Sequence, residues 1–403
     1  MSKSRTTTWF ALLLGAIGLL LVAIPGLWIY MGATATPLHP DPLDVPSTAH
    51  ADPPPKWSSA VEHGRQVVTE ALTAQNLPGL SVAVGVGGDI VWAEGFGFAD
   101  LENRVQVTPD HRFRIGTASK VLTSAAVGLL LEQGRLKLDA EIQTYVPEFP
   151  EKQWPVTLRH LMGHVAGVNT DGGDEGPLFS QHCDKPVEAL RHFAGRELLF
   201  EPGTKYRYSS YGWILVSAAV EAAAGKPFLT FLQEQVFDRL NMRDTLADSA
   251  SQPGPNSVTY YFPRFAADPT YGLHLMRDLD YSCYAGASVF LSTPSDLVRF
   301  GMAIQDGKLL QPATIELFQT AQKLASGEET GYGLGWDLET VTVAGEPTRV
   351  IGHDGATLGG RVASLMTVPK HGIAVAVISN ISYADTFSLA SKIAQAFAEH
   401  PGR

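Results

Sequence analysis

Apolar positions recur at helical spacing over residues 58–75, where Val61, Val67, Val68, Ala71 and Leu72 form one stripe. Two Val-rich runs follow at 80–86 and 90–96. Gly87-Gly88-Asp89 between them is a turn signal, so the pair reads as a hairpin. Residues 111–115 read as a strand or loop, and 121–131 as an apolar helix ending near Gly134. Helices are expected again at 213–224, 228–240 and 387–397, the last covering a sheet. Thr293 can cap a helix that starts at Pro294. Residues 361–368 and 372–379 read as closing strands, and the unbroken apolar character of the second demands burial on both faces. Residues 169–184, rich in Gly, Asp and Pro, form a long surface loop of the kind that binds or covers ligands. Residues 246–284 look irregular and aromatic, as a cleft lining would.

The N-terminus has a different character. Residues 9–31 carry no charge and follow Lys3 and Arg5. Their length suits a bilayer, and the positive flank keeps residues 1–8 in the cytoplasm and exports the remainder. Trp9, Trp28 and Tyr30 stand where interfacial aromatics would. The alternative is a cleaved signal peptide, because Ala33-Thr34-Ala35 has the form of a cleavage site. The run is long for a signal peptide, which favours a retained single-pass membrane anchor with a periplasmic domain. Residues 32–56, rich in Pro, Ala, Thr and Asp, have no hydrophobic period and read as an extended linker. That leaves residues 57–403 as the folded unit.

Composition narrows the chemistry. The 403 residues, 45% hydrophobic, suffice for one two-lobed unit. A net charge of -11, with no basic run beyond the extreme N-terminus, argues against a nucleic-acid partner. Cys183 and Cys283 have no metal-binding spacing; they could pair in an oxidising compartment, though two free thiols is the simpler reading. The Gly-rich stretch at 87–88 does not open a helix, so no phosphate loop and no cofactor are expected. His160 and His164 have the spacing of a zinc helix, but Leu161 stands where the metalloprotease motif needs Glu, so no metal is expected. Asp171, Asp174 and Glu175 lack calcium-loop spacing and read as exposed acids.

Three segments carry candidate chemistry. Thr117 and Lys120, three residues apart at the entrance to helix 121–131, share one helical face. A hydroxyl there, with an amine one turn on, suits a nucleophile beside its base. The unpaired N–H groups of a first turn can steady an oxyanion. The plainer role for Thr117 is a helix cap. Pro202-Gly203 mark a turn before Tyr208, Ser209 and Ser210, and Tyr208 either moves protons or is a buried aromatic with its hydroxyl satisfied. His353 and Gly355 fall in a strand-like stretch where glycine admits a substrate to the backbone. His353 alone would read as a satisfied strand histidine.

Taken in order, these segments resemble the motifs of the serine β-lactamase and penicillin-binding-protein superfamily. Residues 114–124, Arg-Ile-Gly-Thr-Ala-Ser-Lys-Val-Leu-Thr-Ser, resemble its S-x-x-K segment with Thr117 in place of Ser. Tyr208-Ser209-Ser210 resembles Y-x-N with Ser210 for Asn, and His353-Asp354-Gly355 resembles the H-x-G variant of K-T-G. Residues 157–168 resemble a turn whose histidine is structural, and 285–300 and Tyr332-Gly-Leu-Gly-Trp336 match other family elements. Residues 136–168 and the Tyr-Ser-Ser triplet are similar to the mitochondrial serine β-lactamase-like subgroup.

The resemblance implies an α/β (α+β) fold: an antiparallel sheet flanked by helices, an all-α lobe inserted in it, and an active site between. It implies acyl transfer in which Thr117 attacks, Lys120 and Tyr208 move the proton, and Ser210 takes the Asn position. The N–H groups of Thr117 and Ala356, beside Gly355, would hold the oxyanion. His353 in place of lysine weakens the grip on a substrate carboxylate. A peptidase or esterase, acting on a peptide or small-molecule substrate, therefore ranks above a β-lactamase. The methyl of threonine restricts χ1 and crowds the attack path. Two departures from the motifs keep a catalytically inactive protein, or a self-assembling scaffold, as the alternative. The subgroup's filaments suggest a homo-oligomer by analogy.

Overall fold

The computed structural model describes residues 17–18, 21–170, 177–248 and 256–400. The tail 1–8, part of the apolar run 9–31, and the loop acids Asp171, Asp174 and Glu175 lie outside these. An apolar helix, α1 (Leu21–Ala33), comes first. Among the described residues no single helix is long and apolar enough to cross a membrane. Next come β1 (Ser47–Ala49), α2 (Ser58–Gln75), β2 (Gly79–Val86), β3 (Asp89–Asp100), β4 (Val105–Gln106) and β5 (Phe113–Arg114). The helical lobe holds α3 (Ser119–Glu132), α4 (Leu158–Met162), α5 (Ser210–Ala224) and α6 (Phe228–Leu232). Then follow β6 (Leu246–Ala247), β7 (Tyr261–Phe265), β8 (Asp268–Leu275), β9 (Phe290–Ser292), α7 (Pro294–Gln305) and α8 (Pro312–Phe318). The chain closes with β10 (Asp337–Val343), β11 (Glu346–Thr357), β12 (Gly360–Val368), β13 (Ile373–Ser379) and α9 (Thr386–Glu399).

The main sheet runs β1-β3-β2-β13-β12-β11-β10 with every pair antiparallel, so the first strands and the last meet at its centre. Alternation along a strand sends successive side chains to opposite faces. Leu80, Val82, Val84, Val375 and Val377 face α2 and α9, whereas Ala83, Ala374 and Ala376 face the helical lobe and α7. Both faces of β13 are buried, as its apolar run requires. The small residues on the lobe side let α7 pack close. Thr293 caps α7 by accepting from the Asp296 N–H.

Four sequence expectations are revised. Residues 32–56 are not a free linker: β1 pairs with β3, the Leu38 N–H donates to Asn76 Oδ1 at 2.8 Å, and Arg264 donates to the carbonyl and hydroxyl of Thr34. A strand of three residues is too short to show a period. The helix expected over 228–240 stops at Leu232 and widens into a π turn, Gln233–Phe237. The irregular stretch 246–284 contains the β7–β8 hairpin. Finally, Cys183 and Cys283 are not free thiols. They form a disulfide across 100 residues of chain, because folding brings the 177–192 segment against the turn Ser282–Tyr284.

Candidate active site

Thr117 sits in one 3₁₀ turn, Gly116–Ala118, that runs straight into α3. It is not the cap of that helix, whose preceding residue is Ala118. Its hydroxyl crosses to β11, donating to the Asp354 carbonyl at 3.1 Å and accepting from the Ala356 N–H at 2.9 Å. Two backbones must come very close for this. Gly116 has φ +52°, and a Cβ there would stand 2.2 Å from the Ala356 carbonyl oxygen. A Cβ on Gly355 would stand 1.9 Å from the Ile115 oxygen. The β11–β12 register also shifts between Gly355 and Ala356. Such a bulge bends a strand and re-aims its groups; here the N–H just past the shift meets Thr117.

Arg114 fixes the approach to this turn. Its Nε donates to Asp248 Oδ2 at 2.6 Å, both side chains are buried, and its guanidinium lies 4.3 Å from the Tyr260 ring centre. The Arg114 N–H also donates to the Tyr260 hydroxyl.

Lys120 is fully buried inside the first turn of α3. Its Nζ donates to Ser210 Oγ at 3.0 Å and lies 4.6 Å from the Tyr208 ring centre, within cation–π range. The placement of both partners follows from capping. Ser209 caps α5 by accepting from the Gly212 N–H, so Ser210 is the first helical residue and Tyr208 stays just outside. His164, in the turn after α4, stacks on Tyr208 with centroids 4.1 Å apart, and its Nδ1 accepts from the Ser209 N–H. His160 instead exchanges capping hydrogen bonds with Thr157. The two histidines at zinc spacing thus do separate structural work.

His353 lies on β11 two residues before Gly355, on the same face. Its Nε2 is 2.9 Å from the Tyr332 hydroxyl; its Nδ1 is 2.5 Å from the Asp354 carbonyl and 3.8 Å from Asp337 Oδ2. Burial drives its pKa down to about 3, and the Lys120 charge adds to the effect. Burial likewise holds His164 well below the usual range. Burial pushes Asp337 and Asp354 up to about 6, opposed at Asp337 first by the Asp354 N–H and at Asp354 by Arg361. Arg361 Nε stands 2.7 Å from Asp354 Oδ2.

All seven sequence candidates therefore converge. Thr117, Gly355 and Ala356 meet at the turn; Lys120, Ser210 and Tyr208 meet at the start of α5. The Tyr208 and His353 rings lie 6.4 Å apart and join the two groups. Tyr332, Asp337 and the Arg114–Asp248 pair join the site without a role expected from the motifs. Tyr332 opens the Gly-Leu-Gly-Trp run, which was a usable signal. Nothing local marks Asp337 or Asp248.

The two lobes, the hydroxyl–lysine turn and the glycine-bearing strand opposite define a class, the acyl-transfer hydrolase fold. The beta-lactamase family model matches residues 65–398, and the chain belongs to that family. It is 27% identical to the mitochondrial serine beta-lactamase-like protein LACTB of Mus musculus over 467 aligned positions, covering 87% of this chain and 83% of that one. The D-amino acid amidase of Ochrobactrum anthropi shares the fold with a TM-score of 0.71 at 23% identity, over 84% of this chain and 98% of that chain. An octameric penicillin-binding protein homologue from Pyrococcus abyssi gives 0.70 at 22% identity, over 84% and 77%.

Proposed function

We propose that this protein hydrolyses esters or amides, peptides included, through an acyl-threonine. Thr117 Oγ1 attacks the carbonyl carbon and passes its proton to a neutral Lys120 amine. Tyr208 relays that proton to the leaving group as the carbon–heteroatom bond breaks. Water then cleaves the acyl-threonine, returning the hydroxyl. The Ala356 and Thr117 N–H groups hold the oxyanion through both steps. A lysine serves as base only where burial favours its neutral form, and Lys120 is fully buried. The observation that carries this reading is the convergence of a fully buried Lys120, held by Ser210 and the Tyr208 ring, on the strand that meets Thr117, with the Tyr208 and His353 rings 6.4 Å apart.

One observation favours a second reading, an inactive scaffold. The Thr117 hydroxyl itself occupies the Ala356 N–H and gives its proton to Asp354, not to Lys120. Attack requires χ1 to turn, which a β-branched residue resists. Hydrolysis of p-nitrophenyl esters, D- and L-amino acid amides and nitrocefin by wild type, Thr117→Ser and Thr117→Ala separates the two. Turnover lost only in Thr117→Ala supports catalysis. Equal rates in wild type and Thr117→Ala would sink it.

The proposal includes an N-terminal membrane anchor with the catalytic unit outside the cytoplasm. Its support is the uncharged run 9–31, where Leu21, Val22, Ile24, Leu27 and Ile29 are exposed. Release of the protein by alkaline carbonate would count against it. A homo-oligomer rests on analogy with the octameric homologue, and light scattering of the purified protein tests it.

A further inference from the structure

We infer that Tyr332 pins His353 as a neutral imidazole protonated at Nδ1, so that the cleft wall offers no cation or N–H there and the enzyme takes acyl donors without a carboxylate beside the scissile bond. The substrate part of this inference rests on the hydrolase reading above; the state of His353 does not.

Donors and acceptors around the ring fix its protons. A backbone carbonyl can only accept, and Asp354 O lies 2.5 Å from His353 Nδ1. Nδ1 therefore carries a proton. The Asp337 carboxylate, 3.8 Å from the same nitrogen, favours that tautomer further. In a neutral ring Nε2 is then an acceptor, and the Tyr332 hydroxyl at 2.9 Å is its donor. A second proton on the ring would reverse this bond and put a cation in a buried site. His353 and Tyr332 are 4% and 2% exposed, so water offers little compensation.

The surroundings of the ring point the same way. The rings of Tyr208 and Tyr332 face it, and His164 and Lys120 lie on its helical-lobe side. Asp337 and Asp354 are the nearby carboxylates, and burial of the ring outweighs the pull of Asp354 toward a second proton. The balance leaves His353 uncharged across the physiological range. A lysine at this place would offer a fixed charge and three donors; a capped imidazole offers neither. Tyr332 thus acts as a positioning residue through His353, and the pair sets specificity by withholding a charge.

The test uses the full-length protein labelled with ¹⁵N. Long-range ¹⁵N–¹H spectra give the tautomer of each histidine, with His353→Gln identifying the signal. Expected is a neutral His353 with its proton on Nδ1 from pH 8 to pH 5, and an Nε2 shift in Tyr332→Phe that reports loss of the phenol's hydrogen bond. A doubly protonated ring in that range, a proton on Nε2, or an Nε2 signal indifferent to Tyr332→Phe would overturn the inference. A second arm compares kcat/KM for the phenylacetyl esters of phenol and of 3-hydroxybenzoic acid. Wild type is expected to favour the phenyl ester, and His353→Lys to raise the relative rate on the carboxylate ester about tenfold or more. A wild-type preference for the carboxylate ester would refute the specificity claim. If no variant cleaves either ester, the hydrolase reading falls with the substrate claim, while the spectra alone decide the state of His353.

Discussion

Replacing Gly355 with alanine tests the close approach of β11 to the turn that carries Thr117. The added Cβ would lie 1.9 Å from the Ile115 carbonyl oxygen and 3.0 Å from both the Ile115 carbonyl carbon and the Ala363 Cβ. The obstacle is backbone, which cannot swing aside as a side chain can. Strand and turn must therefore part by roughly 1 Å or more, a shift that overpacking makes costly at about 1–3 kcal/mol. The same movement pulls the Ala356 N–H from its 2.9 Å contact with Thr117. A misplacement of about 1 Å costs on the order of 10²-fold in rate, and losing an oxyanion donor about 10²–10³-fold in kcat. Gly195→Ala is the control, since a Cβ there meets nothing within 4 Å. Urea midpoints and ester kcat would be measured for all three proteins. The expected result is a lower midpoint and a collapsed kcat in Gly355→Ala alone. Wild-type midpoint and kcat in that variant would show that the two backbones do not approach as described. The stability half of the experiment holds whatever the protein turns over.

Three further outcomes are expected. Asp248→Ala strands the buried Arg114 guanidinium and should cost about 3–5 kcal/mol, read from urea unfolding; a loss below about 1 kcal/mol would mean the pair is solvated. The Cys183–Cys283 bridge closes a loop of about 100 residues. By chain entropy its reduction should remove about 4–5 kcal/mol, and equal unfolding midpoints with and without reductant would contradict that. The pKa of Asp354 is raised by burial, so its contribution to stability is full below the ordinary carboxylate range, near pH 4, and fades as pH rises through about 6. Wild type should therefore gain stability relative to Asp354→Asn on acidification from pH 7 to pH 4; a difference that stays constant over that range would refute the shift.

Much of this fold was legible because its signals are local and repeated. The helix expected over 58–75 matches α2 in its bounds, with Val61, Val68 and Leu72 of its stripe buried and Val67 and Ala71 partly so, and Gly87-Gly88 turns β2 into β3. The apolar run at 372–379 is buried on both faces as β13. The site was legible as motifs, since Thr117, Tyr208 and His353 each sit beside turn or glycine signals. What stayed hidden was non-local. The pairing of β1 with β3 spans three residues with no period. The disulfide depends on how a loop folds back over 100 positions. Asp248 reaches Arg114 across 134 residues, and nothing near either marks the other. Tyr332 was visible in its motif, but its hold on His353 is a distance, which a sequence does not carry.

The edge strand β1 has a mechanical consequence. Its seam with β3, together with the grip of Asn76 on Leu38 and of Arg264 on Thr34, leaves little slack between α1 and the main sheet. Anything that engaged α1 would therefore set the bearing of the cleft as well as its height. The domain cannot swivel like a balloon on a string; it is mounted like a lamp on a bracket, with its opening aimed one way. A tug on the N-terminus would load the bonds at Thr34 and Leu38 first and the three-residue seam with β3 next, before it reached the turn that carries Thr117.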